Sequence, residues 1–197
     1  MQKPPHWTSI HNKIIAEYHL ISEEPQKNQE RNIETEVINK SIPWAYFNGS
    51  AQEVGCGGGV VLRRSKTHSY KSQMGLGRGT NNYAELVTAK NLILFALHKH
   101  CSNLQLFGDS KPVIKWINKK YSCFVYTLKH ILDEIHRLLS HFDSFICHHI
   151  YREKKIVAHH LSKEAALRDD DTWLICEELD GVVYQHYHRP FIDPEAI

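Results

Sequence analysis

The chain has 197 residues, and 24 Lys and Arg against 22 Asp and Glu leave a net charge of only +2. With 42% hydrophobic and 23% charged residues, the composition excludes a collagen, a coiled coil and a wholly disordered chain, and the length suits one domain with extensions. The near-neutral total hides an asymmetry: residues 1–43 hold 5 basic and 6 acidic side chains, residues 44–168 hold 18 and 8, and residues 169–197 hold 1 and 8. A basic middle joined to an acidic end points to a polyanion partner for the middle, with the acidic end placed to shield it when no partner is bound.

The compartment is bounded by what is missing from the pattern. Cys56, Cys101, Cys123, Cys147 and Cys176 are odd in number and never spaced as Cys-x-x-Cys, which signals neither a disulfide framework nor a zinc site. The first residues lack the apolar run of a signal peptide, and the aliphatic stretch Leu92 to Leu97 is far too short to span a bilayer. The expectation is a soluble, monomeric intracellular protein of the nucleus or cytoplasm, not secreted and without a membrane partner.

In chain order, residues 1–43 read as an N-terminal extension or linker, with a helix around Lys13 to Leu20 and a polar run from Glu23 to Glu34 that buries little apolar surface. Ala45 to Phe47, Gly59 to Leu62 and His68 to Met74 read as three strands of an antiparallel meander, with the glycine-rich stretches Gly55–Gly59 and Gly75–Gly79 as turns. Leu86, Ala89, Ile93, Ala96 and Leu97 recur at helical spacing behind the capping residues Thr80 to Asn82 and predict a long amphipathic helix. Leu104 to Phe107 is a strand, and Val113, Trp116 and Ile117 share one face of a short helix. Leu128 to Phe142 carries the clearest helical stripe, Phe145 to Tyr151 alternates as a strand, and a last helix runs from Ile156 to Leu167. Residues 44–168 thus form one mixed α/β domain. Residues 169–197, acidic and aromatic with Trp173, Tyr184, Tyr187 and Phe191, read as a tail that packs on it as a flap.

This layout brings three polar residues to one edge of a sheet: Asn48 after the first strand, Asp109 after the fourth, and Glu85 in the first turns of the helix between them. Paired divalent ions that cleave phosphodiesters sit about 3.5–4 Å apart and are held by oxygen ligands, mostly carboxylates, which Glu85 and Asp109 supply. Spacing alone leaves a second reading equally open, in which Asp109 caps the next helix and Glu85 is a surface charge.

Phe47-Asn48-Gly49-Ser50, Gly77-Arg78-Gly79-Thr80-Asn81-Asn82-Tyr83-Ala84-Glu85-Leu86, Phe107-Gly108-Asp109-Ser110 and Tyr151-Arg152-Glu153 together resemble the ribonuclease H type 1 domain, in its plant reverse-transcriptase-like, retroelement-derived form. The resemblance runs from about Trp44 to Leu167. It implies a ribonuclease H-like fold with a mixed five-stranded sheet and flanking helices, an RNA/DNA hybrid as partner, and hydrolysis of the RNA strand with Mg²⁺.

The resemblance also implies four catalytic carboxylates, and here they fall on Asn48, Glu85, Asp109 and His159. The last stands in Arg152-Glu153-Lys154-Lys155-Ile156-Val157-Ala158-His159-His160-Leu161, where the family pattern is Arg-Glu-x-Asn-x-x-Ala-Asp-x-Leu. Two of four carboxylates are therefore replaced, and imidazole is a poor partner for hard Mg²⁺. The expectation is impaired cleavage, with Mg²⁺ or Mn²⁺ held by Glu85 and Asp109 weakly if at all. The alternatives are an active hybrid endoribonuclease with an altered metal site and a noncatalytic interaction protein or retroelement remnant. Thr80, Asn81 and Asn82 match the segment that contacts the hybrid's minor groove, Ser50 and Ser110 flank the metal positions, and Lys111, Lys115 and Lys119 are expected to contact phosphates.

Overall fold

The computed structural model describes residues 38–188. The helix expected around Lys13 to Leu20, the polar run after it and Phe191 lie outside the described residues.

The meander is longer than its apolar runs suggest: β1 spans Trp44–Gln52, β2 Gly55–Arg63 and β3 His68–Gly75, paired antiparallel. Helix α1, Asn81–His98, crosses to β4, Asn103–Gly108, which lies parallel to β1. The short helix α2, Lys111–Ile117, and the longer α3, Tyr126–Leu139, lead to β5, Ser144–His149, parallel to β4. A single 3₁₀ turn, Arg152–Lys154, then feeds α4, Ile156–Ala165.

The expected five-stranded sheet has seven strands, because the segment taken for a tail continues it. Strands β6, Trp173–Leu179, and β7, Val182–His188, extend the sheet to the order β5-β4-β1-β2-β3-β6-β7. The signal was present in the sequence: Trp173 to Cys176 is a buried run, and Asp180-Gly181 behind it is a two-residue hairpin turn with φ of 50° and 80°. Of the acids in this segment, Glu177 accepts hydrogen bonds from Tyr70 at 2.8 Å and bonds the His68 ring at 2.7 Å, while Glu178 lies 3.6 Å from Lys71. They are engaged at the edge of the sheet opposite β5 and its neighbour α2, so these two do not shield the α2 lysines.

Gly55–Gly59, expected as a turn, is instead the first half of β2. A Cβ on Gly57 or Gly59 would strike the backbone of α4, whereas one on Gly58 would meet Thr88 of α1. Successive strand residues face opposite ways, so α1 and α4 lie on opposite faces of the sheet, and missing side chains let both come close. Helix α1 is in turn covered by α3, which is why it is buried nearly all round, from Ala84 to Ala96, rather than amphipathic. The main core lies between this helix pair and the sheet and includes Phe47, Leu62, Leu86, Ile93, Phe95, Leu104, Leu106 and Ile135.

Gly49 positions the site. A Cβ there would run into the backbone of Ala84 and Glu85, so only glycine lets the first turn of α1 rest on β1 beside Asn48. Overpacking a well-packed site costs about 1–3 kcal/mol, and more where backbone must move. Gly49→Ala is expected to lower the urea unfolding free energy by about 3 kcal/mol; a change below about 0.5 kcal/mol would mean that α1 is free to shift.

Candidate functional site

The parallel pairing of β1 and β4 sets Tyr46 opposite Phe107, so the same register carries Asp109 alongside Asn48. Glu85 reaches the same point from α1, across Gly49. The sequence-predicted trio is therefore brought together, with Asn48 3% exposed, Glu85 6% exposed and Asp109 half-buried.

A fourth residue that the sequence reading missed occupies the centre. Lys155, the residue before α4, is 2% exposed, and its Nζ donates to Phe47 O at 2.8 Å and to Asn48 Oδ1 at 2.7 Å. The same ammonium lies 2.7 Å from Asp109 Oδ1 and 4.0 Å from Glu85 Oε1. Its three N–H donors are thus matched by three oxygens. The signal was available in the motif itself: Lys155 stands where the Arg-Glu-x-Asn pattern calls for asparagine, so a neutral amide is exchanged for a cation.

Asn48 is fitted to this neighbour. Its oxygen accepts from Lys155 while its Nδ2 donates to Gly49 O at 2.9 Å and to Ser162 Oγ at 2.6 Å. A carboxylate could accept from the Ser162 hydroxyl but would offer no proton to Gly49 O, so this division of donor and acceptor suits the amide. Ser162 Oγ in turn donates to His159 O at 2.9 Å, tying β1 to α4.

His159 lies one turn beyond Lys155, its backbone N–H donating to Lys155 O at 3.1 Å. Burial first, and then the positive charges of Arg152, Lys163, His160 and Lys155, push its imidazole down to about 4, so at neutral pH it is uncharged. Its Nδ1 is buried and makes no hydrogen bond among the described residues.

The two carboxylates respond oppositely to their surroundings. Burial pushes Glu85 up to about 7, the Lys155 charge only partly offsetting it and Asp109 adding to it, and Oε2 is buried with no hydrogen-bond partner among the described residues. Burial acts the same way on Asp109, but the charges and hydrogen bonds of Lys155 and Arg152 outweigh it and hold Asp109 below the ordinary carboxylate range. Arg152 Nε lies 3.4 Å from Asp109 Oδ2 at the exposed rim. The site is close to electrically balanced from its own side chains.

The residues expected to meet nucleic acid lie around this point. Thr80 caps α1, accepting from the Tyr83 N–H at 3.2 Å, and Asn81 accepts from the Ala51 N–H at 2.9 Å, which ties the helix start to the end of β1. Thr80 and Asn81 remain exposed, Asn82 and Ser50 are half-buried, and Ser110 precedes α2 without capping it through its side chain. Lys111 and Lys119 are exposed, while Lys115 sits over the Tyr121 ring at 4.4 Å. Tyr121, which follows the basic segment, is 61% exposed, and the connection into α3 adds two rings the sequence reading did not single out, Phe124 at 94% and Tyr126 at 89% exposed.

A protein-family model described as reverse transcriptase-like matches residues 46–165, more than half of the chain. The chain belongs to the reverse transcriptase-like family. Its described residues form a ribonuclease H-like domain, as solved structures also indicate. A ribonuclease H1 from the halophilic archaeon Halobacterium salinarum aligns with a TM-score of 0.59 at 25% identity, covering 62% of this chain and 96% of that one. The N-terminal RNase H domain of a Mycobacterium tuberculosis protein aligns at 0.57 and 19% identity, covering 63% and 98%. A compost-derived ribonuclease H1 in complex with an RNA/DNA hybrid gives 0.57 and 23%, covering 63% and 96%. No curated protein matches. None of the described helices of this reverse transcriptase-like chain is long and apolar enough to cross a membrane.

The fold family generally uses divalent metals, so the donor set is the question. Among the described residues no group of three or more His, Cys, Asp or Glu side chains is placed to hold a metal ion. At the site itself the oxygens of Asn48 and Asp109 already face an ammonium, and the remaining position carries a neutral imidazole. This donor set does not fit Mg²⁺, which takes near-octahedral oxygen coordination at about 2.0–2.1 Å.

Proposed function

We propose that this reverse transcriptase-like domain binds RNA/DNA hybrids and cleaves their RNA strand poorly or not at all. The observation that carries the second half is that, of the four positions expected to hold carboxylates, only Glu85 and Asp109 keep them, and both face Lys155. With these oxygens turned to an ammonium, the two-ion route lacks the ligands that would hold its ions to activate water and stabilise the leaving oxygen.

Binding draws on different residues. Thr80 and Asn81 offer short polar groups suited to a minor groove that displays 2′-hydroxyls. Lys111 and Lys119 supply charge, with Lys115 held against Tyr121, and the exposed rings of Phe124 and Tyr126 beside them offer surfaces for stacking. The likeness to a ribonuclease H1 that was solved with a hybrid agrees with this reading.

Anisotropy titrations of a labelled hybrid at several salt concentrations test it. With three to five phosphates neutralised at roughly −0.9 per phosphate, as for B-DNA, log affinity is expected to fall against log salt with a slope of about −3 to −4.5. A flat salt response, or no binding, would remove the nucleic-acid reading.

A further inference from the structure

We infer that the Lys155 ammonium is a built-in counter-ion that takes the place of the divalent cations, making this a metal-independent site that restored carboxylates alone would not reopen. The inference rests on reading the site as a ribonuclease H-type centre, and it deepens that reading by naming what keeps metal out.

Space, charge and hydrogen bonding act together at this point. Lys155 Nζ sits among Phe47 O, Asn48 Oδ1 and Asp109 Oδ1 at 2.7–2.8 Å, with Glu85 Oε1 at 4.0 Å. A cation coordinated by the same oxygens would have to lie where this nitrogen lies. The side chain has no exposed surface, so it cannot swing out to solvent without opening the contact of α4 with β1. Its position is fixed from behind as well: the Lys155 N–H donates to Arg152 O at 3.0 Å, closing the 3₁₀ turn, and Lys155 O accepts from His159 N–H at 3.1 Å, opening α4.

The neighbours match an ammonium rather than a divalent ion. Asn48 presents its oxygen to Lys155 and its NH₂ to Ser162 and Gly49, a division of donors and acceptors that aspartate does not reproduce. Asp109 balances the one positive charge with one negative charge, where a pair of divalent ions would call for more carboxylates than the site contains. An ammonium organises these oxygens but provides no open coordination position for water. Hybrid binding is therefore expected to be the same in EDTA and in Mg²⁺ at constant ionic strength.

The test uses the full chain in three forms: wild type, Asn48→Asp/His159→Asp, and Asn48→Asp/Lys155→Asn/His159→Asp. Mn²⁺ binding is followed by calorimetry and electron paramagnetic resonance, without nucleic acid, so the result stands apart from whether the hybrid binds. The triple variant is expected to bind Mn²⁺ at least about tenfold more tightly than the double variant, a difference of about 1.4 kcal/mol. Equal binding by the double variant, or no binding by a folded triple variant, would overturn the inference. The wild type supplies a readout that does not depend on a variant folding. In ¹⁵N-lysine-labelled protein, the buried ammonium should give a protected resonance that millimolar Mg²⁺ leaves in place, and its displacement by Mg²⁺ would equally overturn the proposal.

Discussion

Lys155→Met is expected to cost about 3–5 kcal/mol of folding stability near pH 8, the range typical of removing one partner from a buried ion pair. The change keeps the aliphatic stem but removes the charge, leaving Asp109 without its 2.7 Å partner and Glu85 without the compensating ammonium beside it. Phe47 O and Asn48 Oδ1 lose a donor in the same step. Small domains have about 5–15 kcal/mol in total, so a large share of the stability is at stake. Urea unfolding followed by circular dichroism measures it. The loss should shrink toward pH 5, where carboxylates take up protons in place of the missing cation. A loss below about 1 kcal/mol at pH 8 would mean that the carboxylates are held by something other than Lys155.

The second large effect belongs to Glu85 and has a defined sign. Its folded pKa of about 7 lies above the ordinary 4.5, so between these values the native state holds a proton that the unfolded chain has lost. Stability from this group is fully present below about pH 4.5 and is lost as pH rises to about 7. At about 1.4 kcal/mol per unit the change is up to about 3 kcal/mol. His159 acts in the opposite direction: its folded value of about 4 lies below 6.5, so its share of stability grows as pH rises through that window. The two partly cancel in the wild type, which is why Glu85→Gln is the informative partner. Glutamine imitates the protonated acid, so the stability of wild type minus that of the variant should be near zero at pH 4.5 and about −3 kcal/mol at pH 8. A pH-independent difference would contradict the buried, proton-holding Glu85.

These effects also mark where sequence reading succeeds and where it stops. The convergence of Asn48, Glu85 and Asp109 was legible from hydrophobic period and the resemblance, although Asn48, expected after the first strand, lies in the middle of β1 and only Asp109 follows a strand end. The added strands were legible in principle from Asp180-Gly181, but the high local acidity of residues 169–171 led that region to be read as a tail. Glycines in Gly55–Gly59 mislead for a physical reason: they permit turns, and here they permit two helices to touch one strand from opposite sides. Lys155 was the hardest to see. In a run of Arg152, Lys154 and Lys155 near the basic middle it looks like one more solvated charge, and only the fold reveals that Arg152 and Lys154 are exposed while Lys155 is buried. Aromatic exposure at Phe124 and Tyr126 was equally hidden, since sequence does not say whether a ring in a short connection turns inward.

The central claim, binding without cleavage, is tested most directly by one gel. An end-labelled RNA/DNA hybrid is incubated with excess wild-type protein in millimolar Mg²⁺ and in EDTA, and each reaction is divided between native and denaturing lanes, which report binding and cleavage of the same sample. The predicted result is a shifted band of equal intensity in both conditions with intact RNA in each. Cleavage of the RNA in Mg²⁺ that is lost on Glu85→Gln, or a shift that requires Mg²⁺, would contradict it.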